Sequence, residues 1–292
     1  MKRHSRLLCL CLLIGILLSL SACAAREPFA VHFLPIKGDL LASEDLTTVT
    51  ALSFVARNPT AEAMDGFQQA VRSAALSAEG QHYTLSDVEL TDSGLKARYG
   101  GQAYAYYRLT FELPEELLSQ LAAIQIGEAL SVDGIYVADA LYPLGQLKLR
   151  RAPVFAADKP LKLTRSMALA PNNALNESHA LFKNQSAVPV QVVSVNTGVF
   201  TDASILWDRY SDSASTEGLP FPFQPQEEHR MEILLADDPE DDALIHLIGA
   251  VITYEAAGKQ YFADAPTCVS GVPGNKTRLL EMAKVLFALP QQ

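Results

Sequence analysis

The stretch LIHLIGAVITYEAAGKQYFA, residues 244–263, decides how the chain is read. An apolar run from Leu244 to Tyr254 and a shorter one from Gln260 to Ala263 flank Glu255-Ala256-Ala257-Gly258-Lys259. A short glycine-containing connection between two runs rich in β-branched and aromatic residues predicts a β-hairpin. The first arm reads as one strand. His246 falls between Leu244 and Ile248 on one of its faces, where a histidine reads as a core or edge residue and not as a metal ligand.

The same texture extends outward. Arg230 to Leu235 alternates, with Met231, Ile233 and Leu235 predicted inward. Ala180 to Asn184 and Pro189 to Asn196 also read as strands. Leu219-Pro220-Phe221-Pro222-Phe223-Gln224-Pro225 reads as an extended loop, because proline fixes φ and donates nothing to a ladder. Upstream, Thr48–Ala56, Gln81–Leu90, Tyr104–Leu113, Glu128–Ala138 and Gly145–Arg150 have strand character. Pro114 opens a short helix over Glu115–Ala123, with acids in its first turn to complement the helix dipole. The segment Ala61–Ala78 is open to helix or strand, with strand favoured after Phe67. Asn275 predicts the cap of a helix over Lys276–Leu289, whose face of Leu279, Met282, Leu286 and Leu289 is expected to pack on its own lobe.

Two prolines with charge between them, from Arg151-Ala152-Pro153 to Lys159-Pro160, mark the domain boundary. Many short strands separated by turn signals predict a mainly β chain. The expectation is two tandem immunoglobulin-like β-sandwich lobes, over 31–152 and 160–273, with a short helix in the first and a C-terminal helix over 274–292.

Candidate chemistry is sparse. No two of the histidines beyond the leader lie at zinc-ligand spacing, and HExxH, GxSxG, phosphate-loop and dinucleotide patterns are absent. No catalytic residue, metal ligand or cofactor is therefore predicted. Asp237-Asp238-Pro239-Glu240-Asp241-Asp242 offers oxygen ligands of the kind Ca²⁺ takes, but lacks EF-hand spacing and reads as a solvated turn. In the strand Tyr104–Phe111, alternation places Ala105, Tyr107, Leu109 and Phe111 on the core face. Tyr104, Tyr106 and Arg108 fall on the other face, where exposure would make them an interaction patch, since tyrosine and arginine are enriched in binding hot spots.

The N-terminus reads differently. Lys2, Arg3 and Arg6 precede an apolar run of 14 residues, Leu7 to Leu20, too short to span a bilayer comfortably. It ends in Leu20-Ser21-Ala22-Cys23 and turns polar. Charge, a short apolar core and small residues form the pattern of a secretory signal peptide. Cleavage before Cys23 leaves 270 residues with net charge −13, from 20 basic and 33 acidic residues. A body so charged repels nucleic acid. Of the four cysteines, Cys268 alone remains after the leader and Cys23 are set aside, so no internal disulfide is expected and Cys268 reads as a small buried hydrophobe.

Leu20-Ser21-Ala22-Cys23 resembles the lipobox of bacterial lipoproteins, a likeness confined to about the first two dozen residues. The resemblance implies that Leu20, Ser21 and Ala22 are recognised by the signal peptidase and that Cys23 carries a diacylglyceryl group. Two acyl chains anchor stably where one does not. Residues 23–30 would form a short tether, with a reach of at most about 25 Å. The expected protein is extracytoplasmic and membrane-anchored by lipid, on the outer leaflet of the cell membrane or, as Ala24 would suit, on the outer membrane of a two-membrane cell. Its expected role is non-enzymatic interaction with an envelope protein; the alternative is a ligand- or glycan-binding lipoprotein serving a transporter.

Overall fold

The computed structural model describes residues 27–43, 47–156, 158–168, 177–209, 215–235, 243–264 and 268–288. The leader, Leu20–Cys23 and the Asp237–Asp242 run lie outside the described residues. In chain order, the first part builds β1 (Ala30–Phe33), β2 (Ile36–Ala42), β3 (Thr48–Arg57), α1 (Ala61–Val71), β4 (Ala75–Ala78), β5 (Gln81–Thr84), β6 (Ser86–Tyr99), β7 (Gln102–Glu112), α2 (Glu115–Ala123), β8 (Ala129–Val137), β9 (Ala140–Pro143) and β10 (Gly145–Arg151). The second part builds β11 (Leu161–Ala168), β12 (Glu177–Asn184), β13 (Val190–Asn196), β14 (Ser204–Arg209), β15 (Ser215–Glu217), β16 (Phe221–Phe223) and β17 (Glu228–Leu234). The last part builds β18 (Ile245–Ile248), β19 (Val251–Ala256), β20 (Lys259–Asp264), β21 (Cys268–Ser270) and α3 (Lys276–Leu286).

The protein is mainly β, with two separate apolar cores. In the first lobe, the sheet β1-β3-β7-β6 shares a core with the sheet β21-β18-β2-β10-β8-β4-β5, to which β9 adds beside β8. Leu52, Phe54, Leu109 and Phe111 are fully buried between them; each such side chain stabilises the fold by about 1.5–3 kcal/mol. In the second lobe, the antiparallel sheets β11-β12-β17-β14-β15 and β16-β13-β19-β20 enclose Phe182, Trp207, Phe223, Ile252 and Tyr254. The alternation of β17 holds, with Met231 and Ile233 buried and Leu235 half-buried.

Residues 244–263 form the expected hairpin, but their first arm divides between the two lobes. Ala257 and Gly258, at φ 51° and 73°, close β19 onto β20 in register Ala256 to Lys259, as a two-residue hairpin turn requires. The first arm, however, is two strands. β18 pairs in parallel with β2, Ile245 opposite Ile36, and belongs to the first lobe; β19 belongs to the second. The chain crosses between lobes at Gly249, where a Cβ would come within 2.9 Å of the Asp39 carbonyl oxygen and 3.0 Å of Leu41 Cγ. β21 then pairs with β18, and α3 packs Leu279, Met282 and Ala283 into the first core. The 160–273 boundary is therefore corrected: β18 and β21 complete the first lobe, and the C-terminal helix caps the first lobe and not the second. An apolar run reports burial, not which of two cores receives it.

Two local readings also change. Residues 61–71 are helical through Phe67, capped by Thr60 Oγ1 accepting from the Ala63 N–H at 3.2 Å. The Ala, Gln, Glu and Met content favours helix, and Phe67 packs edge-on against Phe54 at 5.2 Å on its buried side. Phe221–Phe223 is a short edge strand on β13, with Phe221 and Phe223 buried and Pro222 exposed. An edge tolerates proline because no partner needs its missing donor. No described helix is long and apolar enough to cross a membrane.

Candidate functional site

β7 carries the alternation read from its sequence. Tyr107 stacks on Phe54 at 5.2 Å in the inter-sheet core, and Tyr104, Tyr106 and Arg108 lie on the opposite face. That face is not a free aromatic row. Tyr104 is 1% and Tyr106 3% exposed, and of the three only Arg108 is exposed. α3 packs over β6 and β7 and brings Phe287 to 5.6 Å from the Tyr104 ring. The Phe287 ring also lies 4.5 Å from His32 and under the Arg57 guanidinium at 5.0 Å. Burial pushes the Tyr104 and Tyr106 phenols above their ordinary range. The proposed interaction patch of Tyr104, Tyr106 and Arg108 is thus corrected: two of its members are core, Tyr104 against a Phe287 that returns from the far end of the chain.

A cleft of about 360 Å³ remains beside this cover, lined by Ser93–Leu95, Tyr106, Arg108 and Val272–Gly274. It exists because β6 slips register against β7 between Asp92 and Lys96. Gly94, at φ 74°, donates its N–H to Asp92 Oδ1 at 2.8 Å, and Ser93 Oγ donates to the Tyr106 carbonyl at 2.7 Å. The bulge stands off the sheet and leaves room above Arg108. Arg108 forms no ion pair among the described residues, so the cleft presents a cation, a hydroxyl and apolar walls from Leu95, Val272 and Pro273.

A second polar centre joins the lobes. Arg150 on β10 and Asp39 on β2 are each 2% exposed, with Nε 3.5 Å from Oδ2. Arg150 also donates to Asn196 Oδ1 at 2.6 Å and to the Gly249 carbonyl oxygen, while Asp39 Oδ2 accepts the Val199 N–H at 3.0 Å. Asn196 and Val199 belong to the second lobe, so one ion pair holds three segments. Burial raises the Asp39 carboxyl and lowers the Arg150 guanidinium, each outweighing the pull of its partner. Gly198, at φ 68°, lies against this pair; a Cβ there would overlap Asp39 Oδ2. Nothing in the local sequence marked Asp39 or Arg150: β2 also carries Lys37, and β10 also carries Lys148 and Arg151.

Other candidates resolve simply. His229 is buried between the Phe221 and Phe223 rings, 3.3 Å from Glu227, as a core histidine. His246 lies 6.0 Å from Phe200 at the lobe junction. Among the described residues no group of three His, Cys, Asp or Glu gathers to hold a metal. Cys23 and Leu20–Ala22 lie outside the described residues.

No family model and no curated protein matches the chain. Among solved structures, a chaperone of Pseudomonas aeruginosa, CupB2, aligns at 12% identity over 78% of this chain and 96% of its own, with a TM-score of 0.15. The YadV chaperone aligns at 8% identity over 82% and 99%, with a TM-score of 0.16. Scores this low carry no argument about this chain.

Proposed function

We propose that this protein is a lipid-anchored, extracytoplasmic lipoprotein that presents two β lobes to another protein of the cell envelope, without catalysing a reaction. The observation that carries this reading is Leu20-Ser21-Ala22-Cys23 at the end of a short apolar leader, four residues before Glu27, which is already tied into the first lobe. Diacylglyceryl transfer needs the Cys23 thiol, and two chains give lasting attachment to the bilayer. Intact mass of the membrane-fraction protein should show an acylated N-terminal cysteine at residue 23. Cys23→Ser should lack the acyl mass and leave the membrane fraction; a wild-type chain with no acyl addition would sink the proposal.

A second reading has the Arg108 cleft in its favour: a lipoprotein that binds an anionic small ligand or glycan. A guanidinium beside apolar walls suits a carboxylate on an otherwise weakly polar body. Titration calorimetry with an acidic oligosaccharide should then give binding that Arg108→Gln weakens at least tenfold. No measurable heat in the wild type counts against that class of ligand.

A further inference from the structure

The place where the described chain begins sets which way the protein faces. Glu27 is held at one end of the first lobe: Asn58 Nδ2 donates to its carbonyl at 2.6 Å, and its carboxylate lies 3.5 Å from Arg57. Asn58 in turn closes the β3–β7 end, donating its N–H to the Ala103 carbonyl at 2.7 Å and accepting the Ala103 N–H at 2.9 Å. Only residues 24–26 separate Glu27 from Cys23, a reach of at most about 15 Å. The Asn58–Thr60 and Gly100–Gly101 turns share this end with Glu27.

The second lobe joins at the opposite end. β1 pairs with β3 from Ala30 opposite Arg57 to Phe33 opposite Phe54, and Leu34 continues the ladder by donating to the Ser53 carbonyl at 2.9 Å. The chain passes on through β2 toward Asp39 and Ala42, where Val199 and Asn196 dock on Asp39 and Arg150. The ten residues of β3 return over the same length, about 30 Å.

We propose that the Asn58–Thr60 and Gly100–Gly101 end of the first lobe lies against the lipid headgroups, and that the first lobe is a rigid spacer holding the second away from the bilayer. This rests on the lipidation of Cys23. The partner of that end is the membrane surface, and the second lobe is the part free to meet other proteins.

The acylated full chain, placed in vesicles of phosphatidylethanolamine and phosphatidylglycerol with a nitroxide on a fraction of the headgroups, tests it. Trp207 is the sole tryptophan and lies in the second core, so wild-type emission should be unchanged by the nitroxide. Ala61→Trp, at the exposed first position of α1, should add emission that the nitroxide reduces at least twofold. Gln260→Trp, beside the hairpin turn that β19 reaches after leaving the lobe junction, should add emission that stays unquenched. Flotation with the vesicles separates the two claims. A chain that does not float overturns the anchor, whereas one that floats with residue 61 unquenched, or residue 260 quenched, overturns the orientation alone.

Discussion

Arg150→Ala is expected to lower the unfolding free energy by about 3–5 kcal/mol, the cost of breaking a buried ion pair. The variant takes the guanidinium from three acceptors together, Asp39 Oδ2, Asn196 Oδ1 and the Gly249 carbonyl oxygen, and leaves the Asp39 carboxylate buried without its cation. The pair itself is not a store of stability, because burial already raises the Asp39 carboxyl and lowers Arg150. Its contribution is positional, fixing the Asn196–Val199 turn and the Gly249 crossing against β2 and β10. The sign of the pH effect follows. A carboxyl raised by folding contributes stability that is full below its unfolded pKa and is lost as pH rises through its folded value. Asp39→Asn should therefore remove a loss of stability seen in the wild type just above the ordinary carboxylate range. Urea unfolding of wild type, Arg150→Ala and Asp39→Asn across that window measures both effects. A change below 1 kcal/mol in Arg150→Ala would show that the lobes are held by something else.

Phe223→Ala should cost about 3–5 kcal/mol, and the loss should fall on the second lobe. Phe223 is fully buried, with its ring 5.5 Å from Trp207 and 4.6 Å from His229. Truncation leaves a cavity under an indole that also stacks on Phe221 at 5.2 Å, and an edge strand of three residues has few other contacts with which to close it. Because the chain has one tryptophan, its fluorescence reports the second core alone, while far-ultraviolet circular dichroism reports both. The fluorescence midpoint should drop well below the main dichroism transition. Coincident transitions, shifted equally, would show that the two cores unfold as one unit.

Several features of this protein were legible in the sequence because each depends on residues a few positions apart. Alternation placed Met231 and Ile233 inward on β17, and it sorted Tyr107 from Tyr106 on β7. Ala257-Gly258 specified a turn that needs two positive φ angles. Asn275 specified the cap of α3 by accepting the Arg278 N–H at 2.9 Å, and the acids after Pro114 marked α2. The tertiary structure alone decided what covers each face. Alternation states that Tyr104, Tyr106 and Arg108 share a side, but Tyr104 is covered by Phe287 and Tyr106 lies beside Val272–Gly274, segments from the other end of the chain. Hydrophobicity made Leu244–Tyr254 a buried segment, but only the edge of β2 and the space for a glycine beside Asp39 split it between two cores at Gly249. Asp39 and Arg150 carry no local mark of their role, because the segments that close over them are distant in the chain. Burial is a property of the assembled chain: whether a tyrosine is a contact or a core residue depends on the partner that excludes water from it, and that partner is not written beside it.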